Sequence, residues 1–124
     1  MLLTKVLNQL EVYGLPTWFR LGDRDVATHI CRTEMLNNGY SLSEVVRLLS
    51  SKLGVDVNLF PMSDDIIRTK VTTDEGVLSL EDYFVRLKTQ PVVKKVELEG
   101  ADTAEMSSGF INALQNSDLL VFCP

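Results

Sequence analysis

The sequence has few of the residues on which cross-linked or metal-bound domains depend. Its two cysteines, Cys31 and Cys123, are far apart and show no Cys-x-x-Cys or Cys/His spacing, which argues against a disulfide scaffold and a structural zinc site. We therefore expect both thiols to be buried small apolar side chains. The single histidine, His29, lies inside a helical pattern without a Ser or Cys nucleophile signature nearby, and we expect a structural or surface role for it.

Three further signals are absent. The seven glycines are isolated, with neither a GxGxxG nor a GxxxxGK phosphate loop among them. Residues 1–10 include Lys5, Asn8 and Gln9, so they form no continuous apolar run of the kind found in secretory signals and membrane spans. The longest basic cluster is Lys94-Lys95, and the net charge is −5, which argues against a nucleic-acid surface. We expect a cytoplasmic protein with no nucleic-acid partner and no membrane segment.

What is present predicts one α/β domain that begins with helices. The 124 residues are 45% hydrophobic, enough for a core. Apolar residues at helical spacing predict a helix over residues 2–12 that Gly14 and Pro16 end. Asp23 is expected to cap a second helix, which runs to about Asn37. Its predicted buried stripe consists of Val26, Ala27, Ile30, Cys31 and Met35. Ser41 and Glu44 predict a capping box at the start of a third helix, which ends near Gly54.

After Gly54 the apolar period changes to two, which predicts strands. The predicted strands cover Val55–Leu59, Ile67–Val71, a return strand from Val77 after the Asp74–Gly76 turn, and Val92–Leu98. Leu80–Leu87 fits a short helix or a strand. A helix capped by Ser107 or Ser108 follows. Leu119–Cys123 is apolar at every residue, which is typical of a strand buried on both faces of a parallel sheet.

Two polar segments are candidate binding elements. In the loop TWFRLGDRD at 17–25, Arg20 is either a ligand-binding guanidinium beside Trp18 and Phe19 or a surface arginine paired with Asp23 or Asp25. In PMSDD at 61–65, Ser63 with Asp64 and Asp65 is either a metal-binding or hydroxyl-activating cluster or a set of solvated turn residues.

Three segments together resemble the 2-phospho-L-lactate transferases of coenzyme F-420 biosynthesis. They are WFRLGDRDVATHICRTEMLNNGYSLSEV at 18–45, LFPMSDDIIRTKV at 59–71, and the region from Tyr83-Phe84-Val85 to the closing SDLLVFCP. The resemblance implies part of a Rossmann-like parallel-sheet transferase. Such an enzyme moves a phospholactyl or phosphoenolpyruvyl group from a guanosine diphosphate-activated donor to the deazaflavin 7,8-didemethyl-8-hydroxy-5-deazariboflavin. Magnesium assists, and guanosine monophosphate leaves.

The resemblance also implies roles for individual residues. Arg20 matches the family position that contacts the deazaflavin acceptor, and Trp18, Asp23, Ser63 and Asp64 are expected to line the substrate pocket. Members of the family have a glycine-rich nucleotide loop, metal-binding aspartates and a Ser-Asn-Pro turn, none of which is in this sequence. We therefore expect residues 1–124 to be a single partial domain, with neither catalytic residues nor metal ligands, inactive alone and prone to homodimerise or otherwise self-associate.

Two alternatives to the transferase remain open at this point. One is a sugar-nucleotide-binding regulatory protein of the same fold. The other is an interaction lobe without a ligand. The WFRLGDRD segment favours the transferase, because that loop would serve an acceptor that the regulatory protein never meets.

Overall fold

The computed structural model describes the backbone of residues 3–123 and the side chains of residues 5–123. These residues form helices and a small antiparallel sheet, which confirms the mixed α/β class. In chain order the elements are α1 (Leu3–Val12), α2 (Asp23–Asn37), α3 (Leu42–Lys52), β1 (Arg68–Thr73), β2 (Gly76–Ser79), a π-helix turn (Asp82–Arg86), β3 (Val93–Glu99) and α4 (Ser108–Gln115).

The contacts divide the chain into two compact units, and the boundary falls within α2. The first unit combines the described residues up to Ile30 with Ile67–Ala101, and it contains the sheet. The second unit combines Cys31–Ile66 with the described residues from Asp102, and it contains α3 and α4. That the 124 residues make up one domain stays a prediction.

The third helix begins and ends as the sequence predicts. The Ser41 hydroxyl accepts a hydrogen bond from the Glu44 amide at 3.2 Å, and the Glu44 carboxylate accepts one from the Ser41 amide at 2.8 Å. These reciprocal bonds satisfy two of the amides that a helix start leaves free. At the other end Gly54 has φ 74°, and the Val55 amide donates to the Ser50 carbonyl at 3.0 Å. Val45, in the first turn of this helix, is fully buried.

The sheet of the first unit has the order β2-β1-β3 with antiparallel pairing throughout. In the register, Val71 of β1 lies opposite Leu78 of β2 and Val96 of β3. Val71 is buried, as is Thr73 at the end of β1. The hairpin turn and both of its strands lie where the alternating pattern and Gly76, with φ 126°, predict them. The parallel sheet implied by the resemblance stays a prediction.

Two of the predicted strands are not strands in the structure. Val55–Leu59 and Leu119–Cys123 are extended or irregular, and all of their residues are exposed. A strand is defined by hydrogen bonds to a neighbouring strand, and within residues 3–123 no strand pairs with either segment. The ambiguous Leu80–Leu87 segment contains the π-helix turn, so its helical alternative is the closer one.

The buried stripe predicted for α2 is also wrong. Val26 and Met35 are half-buried, whereas Ala27, Ile30 and Cys31 are exposed. The second cysteine, Cys123, is exposed as well, so the prediction of two buried thiols fails. Helical spacing shows that a helix has an apolar face, but burial of that face needs another element packed on it.

Candidate functional site

The first candidate site is the loop at 17–22, which leads into α2. Trp18 and Phe19 meet edge to face, with ring centroids 5.6 Å apart and an interplanar angle of 87°. Trp18 is half-buried and Phe19 exposed, so the pair presents apolar surface to solvent. This arrangement is one of the preferred geometries of aromatic pairs, and it fixes both rings relative to each other.

Arg20 follows this aromatic pair directly and is exposed. Among the described residues its guanidinium takes part in no ion pair, and neither Asp23 nor Asp25 is its partner. The interpretation of Arg20 as an arginine paired with one of these carboxylates is therefore not supported. The loop instead presents an exposed guanidinium with five N–H donors in a planar fork, and this arginine directly follows two aromatic residues in sequence.

The two carboxylates at this place belong to the start of α2. The helix begins at Asp23, and the Val26 amide donates to the Gly22 carbonyl at 2.9 Å, which makes Gly22 the capping residue. The prediction that Asp23 is the N-cap is thus wrong by one residue: its carboxylate accepts from the adjacent Arg24 amide at 3.0 Å. Asp25 reaches back to accept from the Gly22 amide at 3.2 Å. Both negative charges also lie at the positive end of the helix dipole, where they stabilise the helix.

The second candidate site is the PMSDD segment, which lies in the other unit and is described by itself. Ser63 is buried, with 7% of its surface exposed. Its hydroxyl donates to the Glu105 carbonyl at 2.6 Å and accepts from the Asp65 amide at 3.0 Å. The Asp65 carboxylate in turn accepts from the Glu105 amide at 2.8 Å. Ser63 and Asp65 therefore join this segment to Glu105. The isolated β-bridge between Ser63 and Met106 lies at the same place.

A second contact of the same kind lies beside this bridge. The Ser107 amide donates to the Met62 carbonyl at 2.8 Å, and the Ser107 hydroxyl donates to the Pro61 carbonyl at 2.6 Å. Ser107 also caps α4, because its hydroxyl accepts from the Phe110 amide. One buried hydroxyl thus joins the start of a helix to the PMSDD segment. The capping role of Ser107 is confirmed, but its long-range contact was not predicted.

Asp64 faces the start of α3. Its carboxylate accepts from the Ser43 amide at 2.6 Å and from the Ser43 hydroxyl at 3.0 Å. Ser43 is in the first turn of the helix, so Asp64 acts as a cap supplied from 21 residues away. Both oxygens already have partners from the protein. A contact of Ser63 or Asp64 with a ligand stays a prediction. Sequence reasoning missed Glu105 as the partner of Ser63 and Ser43 as the partner of Asp64.

A cavity of about 390 Å³ lies within the second unit, between α3, the segment 55–60 and the start of α4. Arg47 is the only cation in its wall, and Glu44 and Asp56 are its carboxylates. Phe60 covers the first turn of α4 so closely that a Cβ atom on Gly109 would lie 2.5 Å from the ring. Neither Ser63 nor Asp64 lines this cavity, although Asp64 holds Ser43, which does.

The described residues offer no metal centre. Within residues 3–123 no three side chains of His, Cys, Asp or Glu converge on one point. The adjacent Asp64 and Asp65 carboxylates bind backbone amides instead. These residues therefore do not fit a Mg²⁺ ion, which needs several oxygen ligands in octahedral arrangement. In the part of the chain that the structure describes, no helix is both long and apolar enough to cross a bilayer.

Comparison with known proteins shows which family the sequence resembles. Residues 3–124 match the family model of 2-phospho-L-lactate transferase CofD. The chain is 39% identical over 121 residues to a phosphoenolpyruvate transferase of Kitasatospora aureofaciens, a match that covers 94% of the chain and 38% of that protein. It is 40% identical over 117 residues to a 2-phospho-L-lactate transferase of Methanococcoides burtonii, covering 94% and 38%.

A third relative is less similar in sequence but is matched over the same share of the chain. Over 117 residues the chain is 32% identical to a 2-phospho-L-lactate transferase of Methanosarcina mazei, and this match covers 94% of the chain and 39% of that protein. The chain therefore spans less than half of the length of the relatives that it matches.

Proposed function

Because this chain belongs to the 2-phospho-L-lactate transferase family, we propose that it forms part of an enzyme of coenzyme F-420 biosynthesis. The enzyme would transfer a phosphoenolpyruvyl or phospholactyl group to a deazaflavin. A relative named phosphoenolpyruvate transferase and one named 2-phospho-L-lactate transferase are each similar to the chain over nearly all of its length. The donor in this proposal is activated by guanosine diphosphate, and the acceptor is 7,8-didemethyl-8-hydroxy-5-deazariboflavin.

The proposed reaction is a displacement at phosphorus. The terminal hydroxyl oxygen of the deazaflavin forms a bond to the phosphorus that carries the three-carbon acid. The anhydride bond on the other side of this phosphorus breaks, and guanosine monophosphate leaves with the electron pair. The hydroxyl proton is released to water. Negative charge grows on the leaving phosphate, and a positive group supplied there lowers the barrier. We expect Mg²⁺ to be held by residues outside those that the structure describes.

The role that we assign to the described residues is acceptor binding by the loop at 17–22. The observation that carries it is the exposed Arg20 guanidinium, which has no carboxylate partner among residues 5–123 and directly follows the Trp18–Phe19 pair in sequence. A deazaflavin offers a flat ring system with polar edges. Aromatic side chains provide apolar surface for such a ring, and a guanidinium fork can donate to carbonyl oxygens at its edge.

Replacement of Arg20 in the whole protein tests this role. Hydrogen bonds from charged groups contribute about 1.5–3 kcal/mol, so Arg20→Ala should weaken binding of the deazaflavin by roughly 10- to 100-fold. Donor binding should change little. The matched control is Arg24→Ala. Arg24 is also an exposed arginine, and it lies four residues after Arg20, so this variant removes the same charge from outside the loop at 17–22. Calorimetric titration with the deazaflavin and with the guanosine diphosphate-linked donor measures both affinities.

The outcomes of this experiment separate the alternatives. Equal losses for both ligands, or equal effects of Arg20→Ala and Arg24→Ala, would contradict acceptor binding by the loop. The same titration with sugar nucleotides tests the regulatory alternative. A protein that binds only sugar nucleotides, and neither of the two proposed substrates, would end the transferase proposal altogether.

A further inference from the structure

The loop at 17–22 has few backbone contacts of its own. Before Gly22 its residues belong to no helix or strand, and within the described part of the chain none of their amides or carbonyls has a hydrogen-bond partner. The carbonyl of Gly22 accepts from the Val26 amide at 2.9 Å, and its amide donates to the Asp25 carboxylate at 3.2 Å. Both bonds lead into the first turn of α2, so this turn alone holds the backbone of the loop by hydrogen bonds.

Asp25 supplies one of these two bonds through its side chain. With Gly22 as the N-cap and Asp23 as the first helical residue, Asp25 is the third, from which a carboxylate can reach back to the N-cap amide. Among the residues that the structure describes, Asp25 is the only one whose side chain forms a hydrogen bond to the backbone of the loop. Loss of this side chain would therefore remove half of the backbone hydrogen bonds of the loop.

The glycine at residue 22 permits this contact. Gly22 is not among the glycines with a positive φ, so its backbone conformation does not require glycine. A Cβ atom at this position would lie 3.0 Å from Asp25 Oδ2, which is closer than the optimal distance between such atoms. The carboxylate is the end of a flexible side chain, so we expect a methyl group at residue 22 to displace it from the amide.

The bonds at Gly22 bear on Arg20 because only Leu21 separates the two residues. A guanidinium fork recognises a ligand by the direction of its donors as well as by its charge, so it needs a defined backbone position. If the loop were ordered only when the ligand binds, the entropy cost of that ordering would reduce the affinity. A loop that is already held at its exit avoids part of this cost.

We propose that Asp25 is a positioning residue of the acceptor site, which holds the loop through Gly22 in the conformation that directs Arg20 toward the deazaflavin. This inference rests on the proposed function, because acceptor binding by Arg20 is its premise. Asp25 acts on the acceptor through the backbone of residues 20–22 and not by direct contact. Its negative charge is not required for this role, since any side-chain oxygen at the same place can accept from the Gly22 amide.

Three variants of the whole protein separate the hydrogen bond from the charge. Asp25→Ala removes both and should raise the dissociation constant of the deazaflavin about three- to tenfold, the effect of losing one hydrogen bond. Asp25→Asn keeps an acceptor oxygen and should stay within about twofold of the unchanged protein. Gly22→Ala keeps the charge but displaces the carboxylate, so it should weaken binding as much as Asp25→Ala. Calorimetric titration measures these constants, and the dissociation constant of the guanosine diphosphate-linked donor should not change.

A double variant shows whether Asp25 acts through Arg20. In an Arg20→Ala background the loop no longer carries the guanidinium, so the addition of Asp25→Ala should weaken deazaflavin binding by less than about twofold. Glu44→Ala is the control, because the Glu44 carboxylate accepts from the Ser41 amide in the same way at the start of α3. This control loses an equivalent helix-start bond and should leave the affinity for the deazaflavin unchanged.

The outcomes distinguish the positioning role from the proposed function. If Arg20→Ala leaves deazaflavin binding unchanged, the acceptor role of the loop is wrong, and the positioning role is wrong with it. Suppose instead that Arg20→Ala weakens binding. The positioning role alone is then overturned if Asp25→Ala has no effect, if it weakens donor binding equally, or if its full loss persists in the double variant. An equal loss in Asp25→Asn would also overturn it, because the charge and not the bond to Gly22 would then be the cause.

Discussion

The contact between Asp64 and Ser43 gives a prediction whose size can be worked out. Substitution of a capping residue by alanine costs about 0.5–2 kcal/mol, and a negative charge near a helix start adds about 0.3–1 kcal/mol. Asp64 accepts two hydrogen bonds from Ser43, but it is exposed, so water can partly replace it. We therefore expect Asp64→Ala to destabilise the start of α3 by about 1 kcal/mol, within the range for an exposed cap. Asp64→Asn keeps an acceptor and loses only the charge, and it should cost about half as much.

Amide hydrogen exchange of the whole protein measures this effect locally. A loss of about 1 kcal/mol makes opening of the first turn roughly fivefold more frequent, and exchange of the amides in residues 42–46 rises by the same factor. Asp56→Ala is the matched control, because Asp56 is an exposed carboxylate of the same unit. Unchanged amide exchange in residues 42–46 of Asp64→Ala, or an equal rise in Asp56→Ala, would refute the capping role. The Asp64 carboxylate would then be available to bind a ligand.

Two further predictions concern packing and pH. Gly109→Ala should lower the free energy of unfolding by about 1–2 kcal/mol, because the new methyl group would lie 2.5 Å from the Phe60 ring; thermal unfolding in a Phe60→Ala background should show no such loss, and an equal loss there would contradict the clash. The pKa of Asp82 lies below its usual value, chiefly because Arg86 and then Ser79 donate hydrogen bonds to its carboxylate. A lowered pKa in the folded state stabilises the protein above the unfolded pKa of about 3.9 and loses this effect as the pH falls through the folded value. Denaturant unfolding should thus show a difference between Asp82→Asn and the unchanged protein at neutral pH that disappears in acid, whereas a constant difference would argue against the charge as its cause.

The sequence predicts those elements whose causes are local. The capping box at Ser41 and Glu44 joins residues three positions apart, so the pattern and the hydrogen bonds coincide. The hairpin is equally local, because Gly76 supplies the positive φ that its turn requires. Leu119–Cys123 differs, since a strand needs a partner elsewhere in the chain and composition does not reveal whether one is adjacent.

The same limit applies to the candidate sites. Arg20 could be singled out because its aromatic neighbours adjoin it in sequence. Asp64 finds its partner 21 residues away, and the Ser63 hydroxyl bonds to a carbonyl 42 residues away. No spacing rule connects such positions. The sequence therefore identified the PMSDD segment as chemically unusual. It did not reveal that Ser63 and Asp64 form hydrogen bonds to backbone groups of distant residues.

The way in which α3 begins disfavours the binding of an anion at that end of the helix. The leading amides of a helix are a common resting place for phosphoryl oxygens, because they combine free N–H groups with a positive dipole. In α3 the Ser43 amide already donates to Asp64 and the Glu44 amide to Ser41, and the carboxylates of Glu44 and Asp64 would repel an arriving anion. An anionic group is therefore disfavoured at this helix end.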